Sequence, residues 1–231
     1  MLAFAAPCNS MLGSRWERFS EFDWLPYDAE VEWLGVDSGY PYINTGWTPT
    51  GPFYVHAYIC LDTVSNNLFM MGARTAVWNN GKGIGLGSYG NGFRVHTGSY
   101  GSWAQNPAVY SSVPFVLGEF TLLEWGCTGD EIYGATDTSS VRVPVSEDRG
   151  TSDWNQCPNP FCIFQYGSRI LSTTYPTGLR IAHIAIYDGE TLVRDLVPVR
   201  IGNEGFMYDY VTETLFGNQG TGRFMLGPDK E

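Results

Sequence analysis

The nine residues Phe53-Tyr-Val-His-Ala-Tyr-Ile-Cys-Leu61 alternate between two sets of side chains. In an extended chain, the odd positions would place only apolar residues on one face, and the even positions would place Tyr54, His56, Tyr58 and Cys60 on the other. Both faces are therefore partly apolar. This pattern predicts a strand with one face in the core and the other under loops or a partner.

The same period of two recurs along the chain after residue 30, where no segment sustains a helical period. Further predicted strands are Leu68–Gly72, Phe93–Thr97, Phe115–Trp125, Ser140–Pro144, Phe161–Tyr166, Leu179–Tyr187 and Leu192–Pro198. Asp188-Gly189 and the segment 218–222 lie between apolar runs and predict hairpin turns. About a dozen short strands in one unit predict an all-β fold of two stacked antiparallel sheets, a jelly roll or a related sandwich.

Composition excludes several function classes. The 231 residues include 13 Lys and Arg against 24 Asp and Glu, a net charge of −11. Nucleic-acid binding needs clustered cations to neutralise phosphates, and this chain has only two lysines, Lys82 and Lys230. No basic run would hold an anionic membrane, and no apolar run reaches the roughly 20 residues of a spanning helix. We therefore expect neither a nucleic-acid partner nor membrane insertion.

The first 27 residues differ from the rest and predict an N-terminal arm. Segment 12–22 has a loosely helical pattern of aromatic and charged residues. The arm either packs on the main domain, residues 28–231, or docks to a neighbouring subunit or a virion or surface partner. The start lacks the basic residues of a signal peptide. Either export information was removed, or the protein leaves its cell another way, for instance inside a virion.

Five cysteines leave at least one thiol unpaired within the chain. Cys157 and Cys162 are the only close pair and could close a small loop disulfide. Free thiols are the favoured interpretation, because nothing marks a dense disulfide framework.

Several blocks resemble a known family. At the C-terminal end these are Ile186-Tyr-Asp-Gly-Glu-Thr-Leu-Val-Arg-Asp-Leu-Val-Pro-Val-Arg200, Gly205-Phe-Met-Tyr-Asp209 and Leu215-Phe-Gly-Asn-Gln-Gly-Thr-Gly-Arg-Phe224. Nearer the start are Val31-Glu-Trp-Leu34, Tyr42-Ile-Asn-Thr-Gly46 and Phe69-Met-Met-Gly-Ala-Arg74. Together they resemble the laminin-G-like, concanavalin-A-like jelly-roll domains of bacterial surface proteins and phage structural proteins.

The resemblance spans residues 28 to 228 and implies a concanavalin-A-like sandwich. It says little about activity, since this fold carries lectins, adhesins, capsid-associated modules and some glycosidases. Structural roles are expected for Gly189, Gly220 and Gly222 in turns, and for Arg194 and Asp195 as an ion pair or hydrogen-bond anchor between strands.

Enzyme motifs are largely missing. Gly85-Leu-Gly-Ser-Tyr-Gly90 matches G-x-G-x-x-G, but a strand-like segment follows it rather than a helix, so it predicts a glycine-rich loop. Glycosidases of this fold carry E-x-D-x-E or E-x-D-x-x-E on one strand, and neither string occurs. The nearest carboxylate pairs, Glu30 with Glu32 and Asp188 with Glu190, are interpreted as solvated acids. The three histidines fall on separate strands.

Calcium often accompanies lectin-like sandwiches, bound by loop oxygens. The candidate ligands are Asp130, Glu131, Asp137, Glu147, Asp148 and Asp153, but they follow no specific loop motif. Calcium is therefore a possible cofactor, and no other is expected.

Aromatic residues stand beside amides in the predicted loops. The candidate ligand-binding residues are Trp78, Asn79, Asn80, Tyr89, Asn91, Tyr100, Trp103, Trp154 and Asn155. Sugars offer C–H faces that stack on such rings and hydroxyls that pair with amides. The alternative is that these rings fill the core or a subunit interface.

The sequence thus predicts a non-catalytic binding or structural module, extracellular, on a virion or bacterial surface, that recognises glycans or another surface polymer. Two alternatives remain open. One is a purely structural phage head, tail or fibre component that forms homo-oligomers. The other is a glycoside hydrolase or polysaccharide lyase of the same fold.

Overall fold

A computed structural model describes residues 25–63, 68–75, 82–89, 92–97, 109–145, 153–165 and 177–231. These residues form β-strands and, within the same ranges, no helix. The first nine strands are β1 Ala29–Glu30, β2 Leu34–Tyr40, β3 Ile43–Asn44, β4 Phe53–Leu61, β5 Leu68–Arg74, β6 Gly83–Tyr89, β7 Gly92–Thr97, β8 Val109–Pro114 and β9 Phe120–Cys127. The others are β10 Glu131–Ala135, β11 Ser140–Pro144, β12 Cys162–Ile163, β13 Leu179–Asp188, β14 Thr191–Ile201, β15 Glu204–Asp209, β16 Thr214–Phe216 and β17 Thr221–Leu226.

The strands form two antiparallel sheets. The large sheet follows the order β11-β10-β9-β4-β13-β14-β15-β16, with β1 joined to β14 and with β2 joined to β13 and β17. The small sheet follows the order β3-β12-β5-β6-β7-β8. This is the all-β, two-sheet sandwich of jelly-roll type that the sequence predicts.

The core lies between the two sheets. The odd-numbered residues of β4, from Phe53 to Leu61, are at most 1% exposed. Trp125 on β9 is fully buried, meets Phe53 edge-on with ring centroids 5.9 Å apart, and stacks on Phe161 at 5.8 Å. The alternation seen in the sequence therefore arises because one face of β4 packs against the opposite layer.

Two predicted strands are shorter in the structure. The segment predicted as Phe115–Trp125 begins as β9 only at Phe120, because a turn with Gly118 at φ +80° precedes it. The segment predicted as Phe161–Tyr166 is a strand only over Cys162–Ile163. Phe164 has φ +68°, which does not continue an extended strand.

The glycine-rich loop predicted at 85–90 is wrong, because these residues belong largely to β6 in the small sheet. Gly85 pairs with Gly72 on β5. A Cβ atom on Gly72 would lie 2.4 Å from the Cα atom of Gly85, so the two strands approach closely only because both residues lack a side chain.

The hairpin turn predicted at 218–222 is also wrong. The strands on either side of it do not pair with each other: β16 pairs with β15, and β17 crosses to β2. Asn218 stabilises the connection from β16 to β17. Its Oδ1 accepts hydrogen bonds from the backbone N–H groups of Tyr42 (3.2 Å) and Gly220 (2.8 Å). A Cβ atom on Gly220 would lie 1.8 Å from the carbonyl oxygen of Tyr40, so glycine is required there. The other predicted turn, at Gly189 with φ +58°, does join β13 to β14.

Arg194 and Asp195 make separate contacts from opposite faces of β14. The Arg194 Nε donates to the carbonyl oxygen of Thr45 at 3.0 Å and lies 3.6 Å from the carboxylate of Asp209. Asp195 pairs with His183 on β13 at 2.6 Å. Each residue therefore bridges to another segment, and the two do not pair with each other.

Asp209 is fully buried at the end of β15 and joins three segments. Its Oδ1 accepts from the backbone N–H groups of Asp195 (2.8 Å) and Val211 (3.1 Å), and its Oδ2 accepts from the Thr212 hydroxyl (2.6 Å). This carboxylate therefore fixes the turn after β15 against β14.

Four cysteines lie in the described part of the chain, and all four are buried free thiols. Cys157 and Cys162 are not bonded to each other, as the favoured interpretation of the sequence holds. Burial raises the pKa of Cys127 to about 11 and that of Cys162 to about 12.

Most of the predicted arm, residues 1–24, lies outside the described residues. At its end, Tyr27 packs on Tyr208 with ring centroids 5.2 Å apart, and its hydroxyl lies 3.1 Å from that of Tyr210. The described residues include no helix long and apolar enough to cross a bilayer.

Candidate functional site

The solvent-facing side of the large sheet carries an array of aromatic, histidine and carboxylate side chains. We call it the outer face and define it by twelve residues of β9, β10, β4, β13 and β14. The strand register arranges them in three rows that run across the strands: Tyr133, Gly126, Tyr54 and Tyr187 in the first; Ala135, Glu124, His56, Ala185 and Asp195 in the second; Leu122, Tyr58 and His183 in the third. Side chains opposite one another in such a register lie on the same face, so residues from five strands converge.

The first row is aromatic. Tyr54 and Tyr187 stack with ring centroids 4.4 Å apart and planes inclined by 12°. At the other end of the row, the guanidinium of Arg142 on β11 lies 4.8 Å from the centre of the Tyr133 ring. The stacked pair covers one ring face of each tyrosine.

The second row is centred on a hydrogen-bonded pair of side chains that joins strands β4 and β9. His56 Nε2 lies 2.9 Å from Glu124 Oε2, and the two side chains are 25% and 43% exposed. The hydrogen bond from His56 is the main cause that lowers the pKa of Glu124, and Tyr133 and Arg142 act in the same direction. Glu124 is therefore an ionised hydrogen-bond acceptor that faces solvent.

We expect the pKa of Glu124 to rise toward the ordinary glutamate value in a His56→Phe variant. The phenyl ring keeps the packing between Tyr54 and Tyr187 and removes the N–H donor, which is the largest lowering influence. Titration of the glutamate carboxyl carbons by NMR measures the shift, with His183→Phe as the control that leaves Glu124 unchanged. An unmoved Glu124 pKa in His56→Phe would contradict the pairing.

The third row is more open. Tyr58 is 42% exposed and packs on Phe120 at 5.2 Å, and Leu122 on the neighbouring strand is 37% exposed. His183 lies opposite Tyr58, and its Nε2 is 2.6 Å from Asp195 Oδ1. Tyr58 is therefore the most exposed aromatic ring of the outer face, and polar groups border it.

The second row also contains two small apolar residues. Ala185 points outward between His56 and Asp195, yet it is only 5% exposed, because taller side chains surround it. Ala135 occupies the corresponding place beside Glu124 on β10. The row therefore places two alanines among carboxylate and imidazole groups.

Two arginines near the outer face are already engaged. Arg142 pairs with Glu131 at 3.3 Å, in addition to its contact with Tyr133. Arg180 lies over Trp33 and Phe120, and it donates to Asp62 at 2.5 Å and to the Cys60 sulfur at 3.1 Å. Neither guanidinium is left as an isolated cation.

Most of the loop residues predicted to bind ligand lie outside the described residues. These are Trp78, Asn79, Asn80, Asn91, Tyr100 and Trp103, and only the backbone of Tyr89 is described. Trp154 is 4% exposed and packs at 6.1 Å from Phe53, so its ring fills the core, which is the alternative that the sequence left open. Its neighbour Asn155 is exposed.

The strand register shows where the chain leaves the described residues. Gly83 and Thr97 both flank Ile84 at one end of the small sheet, where the segments 76–81 and 98–108 are attached. The N–H of Gly83 also donates to the carbonyl oxygen of Asp153 at 2.9 Å, which joins this end of the sheet to the residue before Trp154. Tyr89 is at the other end of β6, about 20 Å away. The segments that carry the predicted residues therefore leave the described strands at two separate ends of the small sheet.

Within the described ranges, no group of three or more His, Cys, Asp or Glu side chains is placed to hold a metal ion. Among the calcium candidates, Glu131 pairs with Arg142, and Glu147 and Asp148 lie outside the described residues. A calcium site stays a prediction.

Sequence reasoning identified one strand of the outer face but not its neighbours. The alternation in β4 placed Tyr54, His56 and Tyr58 on a common face, whereas Glu124 and Tyr187 join them only through pairing with β9 and β13. A signal for Glu124 existed in the sequence: it is the single charged residue within the run Phe120–Trp125.

No protein-family model matches the chain, and no curated protein matches it. Among solved structures, it is similar to the crystal structure of a "putative carbohydrate binding protein" from Bacteroides ovatus, with a TM-score of 0.55 and 12% sequence identity. The match covers 87% of this chain and 61% of that one, so this chain spans less than two thirds of its neighbour's length. This similarity shows a shared β-sandwich fold, and the narrower laminin-G-like family stays a prediction.

Proposed function

We propose that this protein is a non-catalytic module that binds glycans or a related surface polymer through the outer face of its large sheet. The observation that carries the proposal is the convergence of the exposed Tyr58 ring with the His56–Glu124 and His183–Asp195 pairs. Sugars need a ring to stack on and oriented acceptors and donors for their hydroxyls, and the outer face offers both. The carbohydrate-binding description of the Bacteroides ovatus protein supports the same role.

The spacing of the carboxylates supports a non-catalytic role. Glycosidases need two carboxyl groups about 5–9.5 Å apart. Glu124 and Asp195 lie on β9 and β14, with β4 and β13 between them, so their backbones are separated by three strand spacings, about 14 Å. Each carboxylate is also held by its own histidine. Hydrolysis or elimination by this pair is disfavoured.

We further propose that the module is displayed outside a cell, on a virion or a bacterial surface, and that residues 1–27 attach it to a neighbouring copy or another surface component. The resemblance of the C-terminal blocks to phage and bacterial surface domains supports this location. A structural role in a particle is compatible with glycan binding, because an adhesive subunit serves both purposes.

The test is binding to a panel of soluble polysaccharides, with the variant Tyr58→Ala. Loss of the ring should weaken binding about tenfold, because aromatic contacts at a binding surface dominate its affinity. Ile201→Ala is the control, since Ile201 is 38% exposed and ends β14, about 20 Å along the strand from Asp195.

Trp78→Ala and Trp103→Ala complete the set. If these variants weaken binding and Tyr58→Ala does not, the loops rather than the outer face form the site. If no polysaccharide binds, the proposal is wrong and a purely structural role is favoured.

A further inference from the structure

We infer that the ligand of the outer face is a saccharide chain that carries no carboxylate or sulfate groups. This inference rests on the proposed function and specifies its ligand class by charge. It follows from a count of the charged groups on this face and from what each of them contacts.

The histidines cannot make the outer face positive. His56 is bonded to Glu124 and His183 to Asp195, at 2.9 and 2.6 Å. With neutral imidazoles each pair carries one negative charge, and with imidazolium each pair carries none. The two pairs together therefore contribute a charge of −2 when both imidazoles are neutral and of 0 when both are protonated, and never a positive charge.

The arginines do not supply a cation either. Arg142 pairs with Glu131 and Arg180 pairs with Asp62, so each arginine is balanced by a carboxylate. Glu190, in the turn after β13, interacts electrostatically with Tyr54 and adds a further negative charge at the edge of the first row. Among the residues that the structure describes, the outer face and its border are therefore neutral or negative.

An acidic saccharide would meet two penalties at this site. Each carboxylate or sulfate would lose water without gaining a cationic partner, and partial burial of an unpaired ion is costly. The net charge of −11 would also repel a polyanion during its approach.

An uncharged saccharide fits the same groups. Ionised carboxylates are acceptors only, and the hydroxyls of a sugar are donors that match them. Glu124 and Asp195 both lie in the second row, with His56 and Ala185 between them, so a chain that lies across the strands passes both. Because these oxygens form charge-assisted hydrogen bonds with donors, the site favours binding of hydroxyl groups over binding of anionic groups.

The experiment compares a neutral polymer with its acidic derivative on the same backbone. Wild-type protein is screened against soluble glucan, mannan and galactan, and the polymer that binds most tightly is oxidised at C6 to the uronate at equal chain length. We expect the uronate form to bind at least about tenfold more weakly in low salt, and the difference to shrink at about 0.5 M salt, where the charges are screened.

A charge variant makes the test independent of the polymer chosen. Glu131→Gln removes the carboxylate that pairs directly with Arg142 and frees its guanidinium, beside Tyr133, for an anionic ligand. This variant should bind the uronate polymer several-fold more tightly than wild type does. Glu204→Gln, an exposed residue on β15, removes the same charge elsewhere and should leave the affinity unchanged.

The outcomes separate the inference from the proposed function. If the uronate polymer binds as tightly as the neutral one, and Tyr58→Ala weakens it, the outer face binds saccharides and only the inference is wrong. If Glu131→Gln gives no gain for the uronate polymer, charge does not decide the selectivity and the inference also fails. If no polymer binds, or Tyr58→Ala changes nothing, the proposed function fails and the inference fails with it.

Discussion

Replacement of Asp209 by alanine is expected to lower the free energy of unfolding by about 3–5 kcal/mol. The carboxylate is fully buried, and its removal deprives the N–H groups of Asp195 and Val211 of their acceptor. Arg194 loses the carboxylate 3.6 Å away as well. Each buried polar group that loses its partner costs about 1–3 kcal/mol, and here several lose it together.

Denaturant unfolding followed by tryptophan fluorescence measures the change, since the chain has eight tryptophans. Asp209→Asn should cost less than alanine, because the amide oxygen still accepts the two backbone N–H groups. Glu204→Ala is the control on the same strand, where the side chain is exposed. An Asp209→Ala variant within about 1 kcal/mol of wild type would show that the buried carboxylate does not organise this turn.

The structure explains why the blocks of sequence resemblance indicate the fold but not the activity. Asp209 ends one block and contacts Arg194 in another. Asn218 and Gly220, in the last C-terminal block, hold the Tyr42–Ile43 region of an early block through hydrogen bonds, a backbone bridge and close packing. These residues join segments that are far apart in sequence. The sequence blocks therefore reflect contacts that hold the fold together, and they carry no information about what the outer face binds.

Local alternation predicted the bounds of some strands closely. β4 and β11 have the predicted bounds, and β13 differs by one residue. β6 escaped prediction because its glycines give no side-chain period, although they allow close approach to β5. The pairing of β17 with β2 could not be predicted either. β2 lies some 180 residues earlier, and strand pairing over that distance produces no pattern in the residues next to β17.

The site was harder to predict than the fold. Alternation identified Tyr54, His56 and Tyr58 as a second face of β4, but a sequence does not state which strand lies beside it. The aromatic–amide pattern directed attention to loops instead, and Trp154, where that prediction can be compared with the structure, turned out to be a core residue. An aromatic ring beside an amide is compatible with a binding loop and with a buried anchor, and only burial separates the two.

Replacement of Glu124 by glutamine should weaken saccharide binding about 10- to 100-fold and leave the stability nearly unchanged. Glu124 is the ionised acceptor at the centre of the second row, and hydrogen bonds to charged groups contribute about 1.5–3 kcal/mol. Glutamine keeps the shape and still offers an oxygen to His56, but it replaces one acceptor oxygen by an N–H₂ donor. Its 43% exposure keeps the folding cost small, because water solvates the new amide.

The measurement is calorimetric titration of the tightest-binding neutral polymer, with thermal unfolding recorded in parallel. Glu119→Gln is the matched control, because Glu119 is an exposed glutamate in the turn before β9 and its loss changes the net charge equally. A specific contact and a general charge effect predict different results: a contact weakens binding only in Glu124→Gln, whereas a charge effect changes both variants alike. Equal affinities for wild type and Glu124→Gln would remove Glu124 from the site and would contradict the proposal that a saccharide lies along the second row.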